Sequence, residues 1–315
     1  MEYLTDLKTI LHSKRANIYY LEKCRIMQKD GRVLYLTNEK NQQQYWNIPI
    51  ANTTVLLLGI GTSITQAAVR MLSSAGVLIG FSGAGGTPLI SANEVEWLSP
   101  QSEYRPTEYV QQWLSFWFDA TKRLAIAKYF QSSRLSFLEK IWNNDIDLQS
   151  NGFYSIKEDL VNIVNYSNHT YNNCTTVSHL LLEEAKTTKK LYALAAKATK
   201  TTDFTRDNTS LDKTNMFLNH GNYLAYGLAA TTLWVLGIPH GFAVMHGKTR
   251  RGALVFDVAD LVKDAIILPW AFLTAKEDLA EQEFRQQCLL NFSKYKILDY
   301  MFDTIKDACY MGASL

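Results

Sequence analysis

"LLLGIGTSITQAAVRMLSSAG" (residues 56–76) joins an apolar run to a helical pattern across two glycines, Gly59 and Gly61. Its reading decides whether the N-terminal part is a nucleotide-binding crossover or a β domain that ends in a helix. A dinucleotide fingerprint needs three glycines spaced G-x-G-x-x-G and an acid about twenty residues further on for the ribose hydroxyl. Ile64 stands at the third glycine position, and the first acid after Gly59 is Glu94. The preceding strands also look like hairpins, whereas a dinucleotide unit needs a crossover. The spacing therefore predicts a tight turn at Gly61, a helix capped by Thr62 or Ser63, and a stop at Gly76. No nucleotide is expected there. "HGKT" (246–249) fails as a phosphate loop for a similar reason, because the required first glycine is Phe242.

Outward from this stretch, "NIYYLEKCRIM" and "RVLYLTN" flank "QKDG", a hairpin signature. "YWNIPI", "TTVLLLGIG" and "VLIGFSG" continue the strand pattern. Residues 83–105, rich in Gly, Pro and Ser, suit a linker or domain rim. From about residue 106 apolar residues recur at three and four, the helical period. That texture runs through "YVQQWLSFWFDATKRLAIAKYFQSSRLSFLEKIW" and every long segment after it. The expected fold is α+β: a small β-rich N-terminal domain (1–95) followed by a larger all-α C-terminal domain (96–315).

The chain has 315 residues with 47% hydrophobic and 20% charged side chains, ordinary for a globular protein. Its net charge of +2 means that any affinity for nucleic acid comes from local basic patches. Cys24, Cys174, Cys288 and Cys309 form no CxxC pair, which argues against a cysteine zinc site or a disulfide framework. The N-terminus lacks the apolar core of a secretion signal, and no window of about 18 uninterrupted apolar residues occurs. A cytoplasmic protein with no membrane association is expected.

The densest chemistry lies in "FAVMHGKTRRGALVFDVADLVKDAI" (242–266). His246 ends an apolar run, and Asp257, Asp260 and Asp264 follow at i, i+3 and i+7, along one helix edge. Carboxylates one turn apart repel unless water screens them or a cation sits between them. Magnesium or manganese would suit the carboxylates, and manganese also accepts a histidine. A solvated helix face and a hydrogen-bonded core histidine are the plain alternatives. "HLLLEEAKTTKKLYALAAKATKT" adds Glu183 and Glu184 on an amphipathic helix, followed by Lys186, Lys189, Lys190, Lys197 and Lys200. Acids flanked by lysines are what a metal site working on a phosphate backbone presents. Lys248, Arg250 and Arg251 lie between His246 and Asp257. The lysines read equally well as a solvated face.

In this order and framing, Glu184, His246, Asp257 and Asp260 resemble the CRISPR-associated spacer integrase ("Cas one" adaptation endonuclease) family. Glu184 precedes Tyr192 of "YALAAK" by eight, as in the family. "NMFLNHGNYLAYGLAATTLWVLGIPHGFAVMH" matches a family motif through Asn215, Tyr226, Gly227, Gly237, Pro239 and His246, and "FDVAD" supplies the aspartates. "LLLGIGTSITQAA" is similar to the family's strand-to-helix segment, so the likeness spans nearly the whole chain. "FDVADLVKD" and "LPWAF" are nearest the type I-F branch. Asp264 matches no core ligand of the family.

The resemblance implies a metal-dependent DNA endonuclease–integrase that joins 3′-hydroxyl ends of a short foreign duplex to the CRISPR repeat by transesterification. Glu184, His246 and Asp260 would hold magnesium or manganese, and Asp257 would support a ligand or a second ion. Lys248, Arg250, Arg251, Lys186, Lys189 and Lys190 would contact DNA. Tyr226 would orient a strand end or stack on a base, and Asn215 would fix the active-site loop. A homodimer paired through the β domains is implied, together with a second adaptation protein fused to the helicase–nuclease effector. A structure-specific branched-DNA nuclease or transposase-like integrase outside adaptation, and a nucleotide-binding or scaffolding protein using the glycine stretch, stand as alternatives.

Overall fold

In the computed structural model, residues 15, 17–39, 42–83, 96–100, 107–247 and 252–315 are described. The chain divides into two compact units, Met1–Arg105 and Pro106–Leu315. The first contains β1 (Asn17–Leu21), β2 (Arg25–Lys29), β3 (Arg32–Glu39), β4 (Gln42–Ile48), β5 (Thr53–Leu58) and β6 (Ser63–Ile64). After them come α1 (Gln66–Ser74), β7 (Leu78–Phe81) and β8 (Glu96–Leu98). One sheet runs β1-β5-β7-β8 and the other β4-β3-β2-β6.

The hairpin at "QKDG" forms as expected between antiparallel β2 and β3. Asp30 and Gly31 both take positive φ, +50° and +70°, the two-residue turn whose twist suits a hairpin. "NIYYLEKCRIM" does not stay one strand: it breaks after Leu21, and its halves enter different sheets. The expectation of hairpins only is also corrected. β5 lies parallel to both β1 and β7, so β5–α1–β7 is a crossover unit. Every residue of β5 is buried, the continuous apolar run of a central parallel strand. Alternation is lost on such a strand, which is why its pairing cannot be read from periodicity.

Helix α1 begins later than the expected cap at Thr62 or Ser63. Those residues are occupied otherwise, since the Thr62 hydroxyl donates to the Gly59 carbonyl at 2.7 Å and Ser63 opens β6 beside β2. Thr65 is the cap, its hydroxyl accepting from the Ala68 amide. Gly61 and Gly76 make the turns read from the sequence, with φ of +69° and +75°. Ala68 and Leu72, one turn apart on α1, meet Ile26, Val33, Ile48, Leu56, Leu58 and Ile79 in a core shared by both sheets. The segment 83–105 is partly strand, because β8 pairs antiparallel with β7. The first unit accordingly extends past the expected boundary at residue 95.

The second unit is helical throughout: α2 (Glu108–Trp117), α3 (Ala120–Asn144), α4 (Ile146–Ser150), α5 (Lys157–Asn173), α6 (Val177–Thr199) and α7 (Lys213–Leu236). Next come α8 (Ala253–Val262), one π turn (Lys263–Ile267), α9 (Leu268–Lys276), α10 (Glu281–Lys294) and α11 (Ile297–Ser314). The helical stretch from "YVQQWLSF" to "LEKIW" forms two helices, α2 and α3, with a break where Asp119 caps α3 with its carboxylate on the Thr121 and Lys122 amides. α8 packs against α3 and α7, and the π turn meets α3, α7 and α9. Among the described residues no helix is long and apolar enough to cross a membrane.

A methyl group at Gly59 would fall on the Tyr20 hydroxyl and within 2.6 Å of Glu22 Cγ. Gly59→Ala should lower the unfolding free energy by about 1–3 kcal/mol, read from urea denaturation. Titration with NAD or ATP should show no binding to either protein, and nucleotide binding lost in the variant would revive the cofactor reading.

Candidate functional site

The expected helix edge of Asp257, Asp260 and Asp264 is not a solvated face. α8 is buried nearly all round, and the three aspartates are only 2%, 9% and 7% exposed. Buried carboxylates need partners, and each has one. Asp257 meets His246, Asp260 meets Lys263, and Asp264 meets Arg134. The π turn begins directly after Val262, so Asp264 departs from the α-helical line of the other two and is taken up by α3. Wider turns of this kind recur at functional sites.

Asp257 organises the segment before α8. Its Oδ2 accepts from the Val244 and Met245 amides at 2.7 and 3.1 Å. Oδ1 accepts from the His246 amide at 3.1 Å and pairs with His246 Nδ1 at 2.6 Å. The carbonyl side of the same segment is held by two indoles. Trp113 Nε1 donates to the Phe242 carbonyl at 3.0 Å, and Trp117 Nε1 to the Ala243 carbonyl at 2.8 Å. His246 is thus fixed in position and in ring orientation. With Nδ1 given to Asp257, its Nε2 lies 3.9 Å from Asp260 Oδ2. A carboxylate on one imidazole nitrogen is the arrangement that directs the other nitrogen's lone pair toward a ligand.

Glu184, on α6, and Asp260 line one small cavity of about 60 Å³ with Thr188, Asn222, Lys263 and Asp264. That is room for an ion with a water or two. Glu183 points elsewhere: it is buried and takes the Lys186 ammonium at 2.6 Å. Glu184 Oε1 accepts from Arg134 Nη1 at 2.6 Å and from the Thr188 hydroxyl at 2.8 Å. Asp260 is in contact with the Lys263 ammonium, which also lies 5.4 Å from the Tyr226 ring centre. Among the described residues no three His, Cys, Asp or Glu side chains converge closely enough to enclose a metal ion. Both carboxylates of the expected set carry a cation of the chain itself, and His246 is not among the residues lining the cavity.

The remaining expected residues are placed as follows. Tyr226 is half-buried, edge-on to Phe256 with ring centres 4.8 Å apart. Asn215 is buried, accepts from Arg206 and the Asp207 amide, and donates to Asp212 and the Thr205 carbonyl. It pins residues 205–212 to the start of α7. Lys186, Lys189 and Lys190 are exposed on α6, with Lys190 lying 4.2 Å from the Tyr166 ring centre. None of the three lines the cavity that Glu184 enters. Lys248, Arg250 and Arg251 lie outside the described residues.

Sequence reasoning missed Arg134, Lys263, Trp113 and Trp117. Arg134 had a usable signal, since it follows Ala127, Phe130 and Gln131 at helical spacing on the face that α3 buries. Lys263, three residues after Asp260, is a standard helical ion-pair partner. The tryptophans carried no signal beyond general apolarity.

Burial disfavours a charged His246, but the Asp257 hydrogen bond and the Asp260 carboxylate outweigh it and raise the imidazole pKa above its ordinary value. Burial likewise opposes an ionised Asp260, and Lys263, His246 and Arg134 together hold it below the usual carboxylate range.

A histidine whose pKa rises on folding adds stability below its unfolded value, and that contribution fades as pH climbs through the folded one. The metal-free chain should therefore lose stability relative to His246→Gln as pH rises from about 6.5 upward, measured as paired urea midpoints. A constant difference would refute the charge pairing. Asp257→Ala leaves three backbone N–H groups without an acceptor and should lower the unfolding free energy by about 2–4 kcal/mol, read from the same titrations at neutral pH.

A family model described as "CRISPR associated protein Cas1" matches residues 18–298 of the chain. The CRISPR-associated endonuclease Cas1 of Pseudomonas aeruginosa (strain UCBPP-PA14) is 58% identical over 309 residues, covering 96% of this chain and 95% of the relative. Two solved structures share the fold. A casposase bound to integration product superposes with a TM-score of 0.72 at 14% identity, covering 95% of this chain and 91% of that one. A complex of TtCas1 with DNA gives 0.65 at 20% identity, covering 92% and 90%.

Proposed function

We propose, from the premise that this chain belongs to the CRISPR-associated Cas1 family, that it is the metal-dependent DNA endonuclease–integrase of CRISPR adaptation. In this reading it joins the 3′-hydroxyl ends of a short foreign duplex to the CRISPR repeat by transesterification. The observation that carries it is the fixed imidazole of His246. Its Nδ1 is bound to buried Asp257, and its Nε2 stands 3.9 Å from Asp260 beside the cavity that Glu184 enters. Two carboxylates and one imidazole are a donor set suited to magnesium or manganese, and the cavity's size is suited to a partly hydrated ion. Glu184, His246 and Asp260 would hold that ion, which when bound polarises a phosphodiester and stabilises the departing 3′-oxygen.

The chain's own residues do the rest. Asp257 holds His246 and the backbone on which it rides, so the imidazole needs no reordering on binding. Lys263, now on Asp260, carries the described ammonium nearest the carboxylate pair, and it is placed to meet a non-bridging oxygen once Asp260 takes another cation. Arg250, Arg251 and Lys248 follow His246 directly in the chain and would contact flanking phosphates. Lys186, Lys189 and Lys190 would extend that contact along α6. Tyr226, beside Lys263, would orient a strand end or stack on a base, and Asn215 keeps residues 205–212 in place.

The protein would act as a homodimer paired through its N-terminal units. Its partner would be the second adaptation protein, fused to the helicase–nuclease effector in the type I-F branch that the motif wording resembles. The casposase likeness extends to the fold. A transposase-like or branched-DNA nuclease without a role in adaptation is therefore the reading to test against.

Glu184→Ala and His246→Ala should each reduce magnesium- or manganese-dependent joining of a 3′-hydroxyl duplex into a supercoiled repeat plasmid by about a hundredfold or more. Both variants should stay folded, with gel-filtration mass unchanged, though losing a partner of Arg134 or Asp257 lowers their melting temperatures. Undiminished joining in either variant would overturn the assignment. Cleavage of branched DNA without any joining by the wild type would favour the nuclease outside adaptation.

A further inference from the structure

Arg134 lies in the middle of α3 with a side chain only 3% exposed, and every guanidinium nitrogen is engaged. Nε donates to Asp264 Oδ2 at 2.6 Å, and Nη1 donates to Glu184 Oε1 at 2.6 Å and Gln131 Oε1 at 2.9 Å. Nη2 donates to the Thr188 hydroxyl at 2.6 Å, which in turn donates to Glu184 Oε1 at 2.8 Å. Burial disfavours the guanidinium charge, but Asp264 and Glu184 outweigh that effect and hold Arg134 firmly protonated. Two donors, Arg134 and Thr188, therefore converge on one oxygen of Glu184, and Oε2 receives no hydrogen bond from either.

We propose that Arg134, oriented by Asp264 and assisted by Thr188, is the positioning residue that presents Glu184 Oε2 to a divalent cation beside Asp260. The inference rests on the reading of Glu184 as a ligand and assigns roles to three groups that reading left idle. Asp264 is then not a ligand. It is the carboxylate that fixes the guanidinium fork, and the π turn exists where the helix must direct Asp260 and Asp264 to different partners. A flexible glutamate on a half-exposed helix face would spend ordering entropy each time an ion bound; a clamped one does not. A lysine at 134 would keep the charge and lose the fork, because an ammonium cannot hold Asp264, Glu184 and Thr188 in one plane.

Manganese binding provides the test, by electron paramagnetic resonance of free Mn²⁺ titrated against the full chain, without DNA. Wild type, Arg134→Lys, Asp264→Asn, Thr188→Val and Glu184→Ala would be compared, each with its melting curve. Arg134→Lys and Thr188→Val should raise the Mn²⁺ dissociation constant about tenfold or more, and Glu184→Ala at least as much. Thr188→Val deletes one hydroxyl at a half-buried position, so it keeps the test open should the buried-pair variants fail to fold. A purely structural role would lower melting temperatures and leave Mn²⁺ affinity as in the wild type, which would overturn the proposal. If the wild type binds Mn²⁺ and Glu184→Ala binds it equally well, both this inference and the ligand assignment fail. Loss in Glu184→Ala with no change in Thr188→Val and Arg134→Lys removes the positioning role alone.

Discussion

The Asp257 carboxylate accepts four hydrogen bonds on two oxygens, three from consecutive backbone amides and one from His246 Nδ1. Everything else at the site depends on that arrangement. Consecutive amides pointing at one carboxylate make the segment 244–246 a small anion-binding concavity, here filled from within the chain. The indoles of Trp113 and Trp117 hold the Phe242 and Ala243 carbonyls just before that segment. A histidine on a loop is thereby held with helix-like definition, and its free nitrogen is aimed at Asp260. Because Asp257 sits on buried α8, the loop inherits the rigidity of the core.

Around this anchor the site solves a charge problem. Asp257, Asp260 and Asp264 fall within two turns and are all buried, an arrangement that cannot persist with three unpaired carboxylates. Lys263 and Arg134 compensate two of them, and Arg134 also reaches Glu184 on a third helix. The result joins α3, α6 and α8 through charge-assisted hydrogen bonds. Removing one partner of such a set costs far more than the set contributes, because the remaining charge is left buried and alone. Lys263 occupies Asp260, so that carboxylate is compensated from within the chain.

Much of this was legible along the chain. The Asp-Gly turn between β2 and β3 and the helical texture from residue 106 onward both follow from local rules of turn and period. His246, Asp257 and Asp260 stood out because their spacing is local to one segment. Glu184 was separable from Glu183 only through its distance to Tyr192; in the structure Glu183 turns to Lys186 while Glu184 lines the cavity. The crossover β5–α1–β7 was missed because a strand buried on both faces shows no alternation. The start of α1 was misplaced because three hydroxyl residues, Thr62, Ser63 and Thr65, compete for one cap, and strand pairing of Ser63 settles the contest.

What the sequence by itself determined is the division into a strand-rich and a helical part and the chemical types at the site: a glutamate, an imidazole and three aspartates at helical spacing. Only the tertiary structure decided which charges meet. Arg134 stands fifty positions before Glu184 in the chain, and no periodicity links residues on separate helices. Whether Asp264 faces water, a metal or a guanidinium depended on where α3 packs and on a single wider turn after Val262. Local sequence rules act over a few residues of one element. Electrostatic pairing in a buried core is set by distances between elements, and those exist only once the helices have packed.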